Sequence, residues 1–277
     1  AVQVAMLEAL EAVLVKAGKG ASAPVKHQTL ASMGSLLDHE DEDVRKATAK
    51  CIGAASVHLS PEELQALLEP PSGLLVPQPD LAGDSAWLSR HSICMALGAI
   101  MRTGGDKALL LPLAPEVLDR LLAFIGDDRV PVRAAACLGL SALISTTSEL
   151  GEAGASDLQT SLSKGIPALA SALEDSSADG RRAAAVAVKQ VAKLQPAAVR
   201  GQLSTLVPAL LKLVKDANFA VKLAAERCLL HVLEINSRPE TLSTYVSSAD
   251  AESARFVRDY ARRVLARLSA DSDDEEG

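Results

Sequence analysis

Apolar residues recur at helical spacing along most of this 277-residue chain. The pattern is most complete from Leu36 to Leu59. There a helix ends, an acidic turn follows, and a second helix begins near Asp43, whose carboxylate can cap free backbone N–H groups. One face of the second helix is apolar and consists of Val44, Ala47, Cys51, Ile52 and Ala55. Because small residues dominate this face, we expect another helix to approach it closely.

The same turn and helix return at intervals along the chain. Each copy places a basic residue near the start of its second helix, at Arg45, Arg90, Arg133, Arg182 and Lys222. These residues lie 45, 43, 49 and 40 positions apart. The sequence therefore predicts an all-α fold, an α-solenoid of about six HEAT/armadillo-like units, because a period of roughly 40–47 residues with two helices per unit is typical of those repeats.

Composition shifts mark the predicted boundaries. Residues 1–269 are predicted to form the solenoid, and the chain is expected to begin inside a helix that a preceding repeat covers. Residues 70–85 contain four prolines and are predicted to be an irregular loop. Small residues predict a linker over Thr146–Ser156. Residues 270–277 are predicted to be a disordered acidic tail, since they have almost nothing to bury.

Composition also narrows the classes of function. Aromatic residues make up 2% of the chain and apolar residues 48%, which favours many thin helix–helix contacts over one thick core. Five of the 35 acidic residues lie in the tail, so the rest of the chain is nearly neutral and shows no electrostatic signature of DNA binding. No uninterrupted apolar run approaches about 18 residues, so no membrane helix is predicted. The four cysteines form no CxxC pair and are predicted to be buried thiols of a reducing compartment.

Catalytic patterns are weak. His39-Glu40 deserves a check because HEAT-repeat hydroxylases bind two irons through repeated His-Glu pairs, but the sequence contains no second His-Glu dipeptide. Glycine-rich phosphate loops, GxSxG elbows and HExxH motifs are also missing from the sequence. We therefore predict a protein that is not an enzyme and that needs no cofactor, metal or small-molecule substrate.

Recurrent aspartates in the turns and basic residues in the second helices suggest a structural ladder. An aspartate in one turn can pair with a basic residue of the neighbouring unit and so fix how the units stack. The predicted ladder residues are Asp38, Arg45, Asp127, Arg133, Asp216 and Lys222. Exposed ion pairs contribute only about 0–1 kcal/mol each, so the ladder would set geometry more than stability.

Two basic clusters fit that ladder less well. The first consists of Arg181, Arg182, Lys189 and Lys193. The second consists of Arg255, Arg258, Arg262 and Arg263. Each cluster is either a solvated helix face or a site for an acidic partner, which would be a protein domain or the phosphate backbone of ribosomal RNA.

Three segments carry a resemblance to a known family. In chain order they are VQVAMLEALEAVLVKAGKGASAPVK, LLDHEDEDVRKATAKCIGAASVHLSPEELQALL and WLSRHSICMALGAI. Their order resembles the carboxyl-terminal region of the giant HEAT-repeat translational activators of general amino-acid control. The resemblance implies a cytoplasmic, ribosome-associated scaffold. It also implies recruitment of the initiation-factor-two-alpha kinase through the kinase's RWD domain, for which other RWD proteins compete.

The predicted function is thus a non-enzymatic scaffold in translational control during amino-acid starvation or ribosome stalling. The alternative is a general HEAT-repeat adaptor for transport or for a phosphatase. Its likeness to the activators would then reflect the sequence pattern that HEAT repeats share. Ribosome binding would separate these two hypotheses.

Overall fold

All regular structure in the described part of the chain is helical, which confirms the predicted fold class of HEAT/armadillo-like repeats. The structure is a computed structural model, and it describes residues 1–17, 20, 23–69, 73, 75–76, 86–103, 110–149, 152–236, 238–248, 250–251 and 253–262. The chain divides into two compact units, Ala1–Leu162 and Ser163–Gly277. The predicted tail, and the predicted loop apart from residues 73, 75 and 76, lie outside the described residues.

The first unit is built on a series of second helices. Its helices are α1 (Val2–Ala17), α2 (Ala23–Gly34), α3 (Glu42–Ser56), α4 (Pro61–Leu68), α5 (Ala86–Thr103), α6 (Ala114–Ile125) and α7 (Val130–Ser148). The second helices α1, α3, α5 and α7 each pack against the next. The first helix α2 packs on α3, and α6 packs on α7. The core of this unit therefore lies along the contacts between second helices.

The second unit repeats this arrangement. Its helices are α8 (Glu152–Ala172, within which the unit boundary falls), α9 (Ala178–Leu194), α10 (Pro196–Val199), α11 (Leu203–Leu213), α12 (Phe219–Glu234), α13 (Pro239–Ser248) and α14 (residues 253–262). The second helices α9 and α12 pack together, and the first helix α11 packs on α12.

Glycines allow the second helices of the first unit to approach closely. A Cβ added to Gly53 of α3 would come within 2.9 Å of the Ala99 Cβ on α5. A Cβ added to Gly98 of α5 would come within 3.1 Å of the Gly139 Cα on α7. Real Cβ atoms rarely make contacts this short. The short distance between the helices of each pair therefore requires glycine at these two positions. The close approach predicted from the small residues of α3 is confirmed.

The predicted helix starts are correct for α4 and need correction for α3. Ser60 and Glu63 form a capping box at the start of α4, as the sequence Ser60-Pro61-Glu62-Glu63 indicates. At α3 the cap is Asp41 rather than Asp43, because the Asp41 carboxylate accepts the Asp43 N–H at 2.9 Å. Asp43 lies inside the first turn, where its charge still complements the helix dipole.

The predicted linker over Thr146–Ser156 is largely wrong. Helix α7 continues to Ser148 and α8 begins at Glu152. Hydroxyl groups explain the extension. The Thr147 Oγ1 donates to the Leu143 carbonyl one turn back, and the Thr146 Oγ1 donates to the Met101 carbonyl of α5 at 2.5 Å. These small polar residues therefore stay helical because helix carbonyls satisfy their hydroxyls.

Among the described helices, α7 is the one whose length and composition would suit a membrane span. Its apolar stretch is 61% buried, and α7 packs against α5 and α6 as a core helix does. The apolar run is interrupted by Arg133, whose guanidinium binds carbonyls of the preceding turn.

Candidate protein-interaction site

Arg45 connects the turn before α3 to the neighbouring second helix. Its side chain is 2% exposed, and its Nη1 donates to the carbonyls of His39 at 2.7 Å and Glu40 at 2.9 Å. Its guanidinium also lies 5.4 Å from the centre of the Trp87 ring at the start of α5. One buried cation thus closes its own turn and fastens α3 to α5.

His91 completes this cluster as a neutral acceptor. Burial, and next the positive charge of Arg45, lower the pKa of His91 to about 4. The imidazole is therefore uncharged near neutral pH, and its Nδ1 lies 3.4 Å from the Arg45 Nε. The Trp87 and His91 rings lie 6.2 Å apart. All three nitrogens of the Arg45 guanidinium contact protein atoms, so the role of the Arg45 cluster is structural.

Two further repeats hold their turns in the same way. The Nη1 of Arg133 donates to the carbonyls of Asp127 and Asp128, six and five residues earlier. The Nη1 of Arg181 donates to the carbonyls of Asp175 and Ser176 at the same spacing. The basic residue that recurs near the start of each second helix, the marker residue of the repeat, is therefore Arg181 here and not Arg182. This corrects the spacing derived from the sequence.

Aspartates of two turns pair with an arginine of the preceding second helix. Arg90 Nε lies 2.7 Å from Asp127 Oδ2, and Arg181 Nε lies 2.7 Å from Asp216 Oδ2. Each of these aspartates also accepts a backbone N–H two residues later. Arg90 and Arg181 thus join adjacent repeats through an aspartate of the next turn, while the Nη1 groups of Arg45, Arg133 and Arg181 hold their own turns.

Asp38 does not occupy the bridging position, so its assignment to the ladder is corrected. The residue six positions before Arg45 is His39, whose Nδ1 accepts the Asp41 N–H at 3.0 Å, as an aspartate oxygen does in the other turns. Asp38 is exposed and forms no ion pair with a described residue. Lys222 occupies the equivalent position in α12, four residues after the cap Asn218.

Second helices in each unit expose an equivalent row of positions. Counted from the helix caps, the row comprises Ala134, Leu138, Ser141 and Ser145 on α7; Arg182, Val186, Lys189 and Lys193 on α9; and Leu223, Arg227, Leu230 and Glu234 on α12. All twelve side chains are exposed or half-buried. In the first unit Leu138, Ser141 and Ser145 of this row line a shallow groove of about 370 Å³ together with Arg102. The row is neutral on α7 and strongly basic on α9.

The second basic cluster is exposed where it is described. The side chains of Arg255 and Arg262 are 83% and 80% exposed, and each has Asp259 of the same helix as a loose partner, at 3.9 and 3.5 Å. The Arg258 Nε donates to the Ala254 carbonyl of its own helix. Arg263 lies outside the described residues. Arg255, Arg258 and Arg262 present charge to solvent, and none of them pairs with a described residue of another helix.

Neither metal-binding nor reactive-thiol chemistry assembles among the described residues. They contain no group of three or more His, Cys, Asp or Glu side chains that could hold a metal ion. The four cysteines are buried, as predicted, and burial raises the pKa of the Cys51 thiol to about 11.

Comparison with known proteins decides the family. Residues 1–277 match the family described as "Stalled ribosome sensor GCN1-like, HEAT repeats". The chain belongs to this family. Among GCN1-like relatives, Protein ILITYHIA of Arabidopsis thaliana is 28% identical over 284 residues, covering 99% of this chain and 10% of that protein. The eIF-2-alpha kinase activator GCN1 of Dictyostelium discoideum is 27% identical over 279 residues, covering 98% of this chain and 10% of that protein.

A solved structure supports the repeat architecture of this GCN1-like chain. The structure of Kap121p aligns with a TM-score of 0.63 at 15% identity, covering 96% of this chain and 29% of that one. At this identity the likeness concerns the fold. The chain spans about a tenth of the length of the curated GCN1-like relatives it matches.

Sequence reasoning missed two kinds of residue in this GCN1-like chain. It assigned Arg181 to a partner site, although Arg181 contacts Asp216 and two carbonyls of its own turn. It also left Arg227 out of the basic row on the second helices. Counting from the caps Ser177 and Asn218 would have found both, since Arg181 and Lys222 each lie four residues after the cap, and Val186 and Arg227 each lie nine residues after it.

Proposed function

We propose that this chain is the carboxyl-terminal part of a non-enzymatic scaffold in translational control. It acts in the cytoplasm, associates with the ribosome, and recruits the initiation-factor-two-alpha kinase through the RWD domain of that kinase. The observation that carries the proposal is the GCN1-like family match over residues 1–277. A relative named as an eIF-2-alpha kinase activator adds support, as it aligns over 98% of the chain.

The physical character of the surface is consistent with scaffolding. A scaffold raises the effective concentration of two partners by holding both at once, and it needs exposed faces rather than a catalytic pocket. The second helices offer such faces, because their equivalent rows are open to solvent in both units. We assign the kinase contact to the exposed arginines of α14, whose charges are only loosely paired with Asp259.

Calorimetric titration of the chain with the RWD domain of the kinase tests this proposal. We expect micromolar or tighter binding that weakens when salt rises from about 0.05 to 0.2 M, because exposed charge pairs are screened by salt. The Arg258→Glu/Arg262→Glu variant should bind at least about tenfold more weakly while its circular dichroism spectrum and melting curve stay unchanged. Absence of binding by the folded chain would contradict the proposed recruitment, and unchanged affinity of the variant would remove α14 from it.

A further inference from the structure

Within the second unit, the basic row on α9 lies beside the equivalent row of α12, which contributes one further cation, Arg227. Arg182, Lys189 and Lys193 follow each other at helical spacing, so they lie on one face of α9 and extend over about 16 Å at about 1.5 Å per residue. Arg227 occupies the equivalent row on α12, and α12 packs directly against α9. We name these four cations, with Val186, Leu223 and Leu230, the α9–α12 face.

The cations of this face are not used by the fold. In the described part of the chain, Arg182, Lys189, Lys193 and Arg227 form neither an ion pair nor a side-chain hydrogen bond. Their neighbour Arg181 contrasts with them, because its guanidinium is held by Asp216 and two carbonyls. Lys189 is half-buried on α9, which packs directly against α12. The positive charge therefore remains available to a partner.

Apolar side chains separate these cations. Val186, Leu223 and Leu230 are half-buried, so part of each is open to solvent between the charged residues. A single-stranded nucleic acid would be bound by basic residues interleaved with aromatic side chains on which its bases stack. The α9–α12 face instead alternates charge with aliphatic surface, which matches a protein segment that has acidic and apolar residues on one side.

We propose that the α9–α12 face is a docking surface for an acidic amphipathic helix of a partner protein. Leucines of that helix would pack over Val186, Leu223 and Leu230, while its carboxylates would pair with the cations on either side. Asp179 and Glu234 lie at the ends of these helices and would set the limits of the acidic segment by repulsion. This surface is separate from the α14 cluster assigned to the kinase, so the inference does not depend on the proposed function.

Fluorescence anisotropy of the full chain with a labelled synthetic helix tests the inference. The probe is a peptide of about 18 residues, composed of Glu, Leu and Ala, with leucines at three- and four-residue spacing and glutamates beside them. Its control is a shuffled peptide of the same composition, in which the leucines no longer share a face. We expect the chain to bind the amphipathic peptide at least about tenfold more tightly than the shuffled one.

Three variants then locate the binding, two on the α9–α12 face and one control on α14. Arg182→Glu/Lys189→Glu/Lys193→Glu should weaken peptide binding at least about tenfold, and Leu223→Ser/Leu230→Ser should weaken it about threefold or more. Arg255→Glu/Arg258→Glu/Arg262→Glu makes the same change in charge on α14 and should leave peptide affinity within about twofold. Melting curves show whether each variant is folded. If the triple variant of α9 does not fold, Arg182→Gln replaces it.

Three results would overturn the inference. The first is a failure of the folded chain to bind the amphipathic peptide at about 100 μM. The second is equal binding of the shuffled peptide, which would indicate charge attraction alone. The third is tighter binding of a single-stranded uridine oligonucleotide through the same cations, which would assign the face to RNA. Loss of kinase binding in the α14 variant with peptide binding intact would leave the inference standing and separates it from the proposed function.

Discussion

Replacing Arg45 by alanine should destabilise the first unit by about 3 kcal/mol. The guanidinium makes two short hydrogen bonds to the carbonyls of His39 and Glu40, and hydrogen bonds to charged groups contribute about 1.5–3 kcal/mol each. Its contact with the Trp87 ring adds about 1 kcal/mol. The smaller desolvation cost of alanine, and hydration of the freed turn carbonyls, recover part of that total.

The chain contains its own probe for this measurement. Trp87 is the one tryptophan of the sequence and touches Arg45, so its fluorescence reports unfolding of the first unit. Midpoints of urea unfolding should be compared by fluorescence and by circular dichroism, because loss of the nearby cation also changes the emission of the folded protein. A decrease of about 3 kcal/mol in the free energy of unfolding is the expected result.

Lys46→Ala is the matched control. Lys46 follows Arg45 on α3 but is 51% exposed, and its partner Glu42 lies one turn away on the same helix and is 55% exposed. Removal of such a pair costs about 0.3–0.5 kcal/mol. If Arg45→Ala and Lys46→Ala shift the midpoint equally, the assignment of Arg45 as the residue that closes the turn and fastens α3 to α5 is refuted.

Three other predictions concern the repeats. Gly98→Val should destabilise the first unit by about 2 kcal/mol or more in urea unfolding, because its Cβ would meet Gly139 at 3.1 Å, and a neutral result would contradict the close packing of α5 and α7. Arg181→Ala should lower the melting temperature of the chain measurably while Arg182→Ala leaves it within about 1 °C, and the reverse order would show that Arg182 is the marker residue after all. The hydrogen bond from Arg181 holds the pKa of Asp216 below its usual range, so the stabilisation is fully present above the unfolded value of about 3.9 and is lost as pH falls through the folded value. Urea midpoints between pH 6 and 3 should therefore fall less steeply in Arg181→Gln than in the native chain, and parallel curves would exclude this pair as a source of acid sensitivity.

Helical periodicity was sufficient to predict the fold class. The apolar spacing that placed helices around Val44 and Val132 is a local property, and each helix buries the face that its own residues define. Capping chemistry was equally local at Ser60, where a proline and two acids follow the cap. Composition misled at Thr146–Ser156, since hydroxyl residues that favour turns can also bond to helix carbonyls, and the acceptor at Met101 is 45 residues away.

The roles of individual charges depended on contacts between repeats. Arg181 and Arg182 are adjacent, chemically identical and both half-buried, yet Arg181 hydrogen-bonds to Asp216 whereas Arg182 pairs with no described residue. A shift of one residue rotates a side chain by about 100° around the helix, so the choice needs the exact start of α9. Ser177 fixes that start by capping the helix, and several polar residues in this turn could have served as the cap.

Co-sedimentation of the kinase's RWD domain with purified ribosomes, with and without this chain, tests the central claim most directly. A scaffold that binds both partners should bring the RWD domain into the ribosomal pellet in proportion to the chain added, up to saturation. The Arg258→Glu/Arg262→Glu variant should itself still sediment with ribosomes but should leave the RWD domain in the supernatant. Sedimentation of the RWD domain that is unchanged by the native chain would contradict the scaffold account.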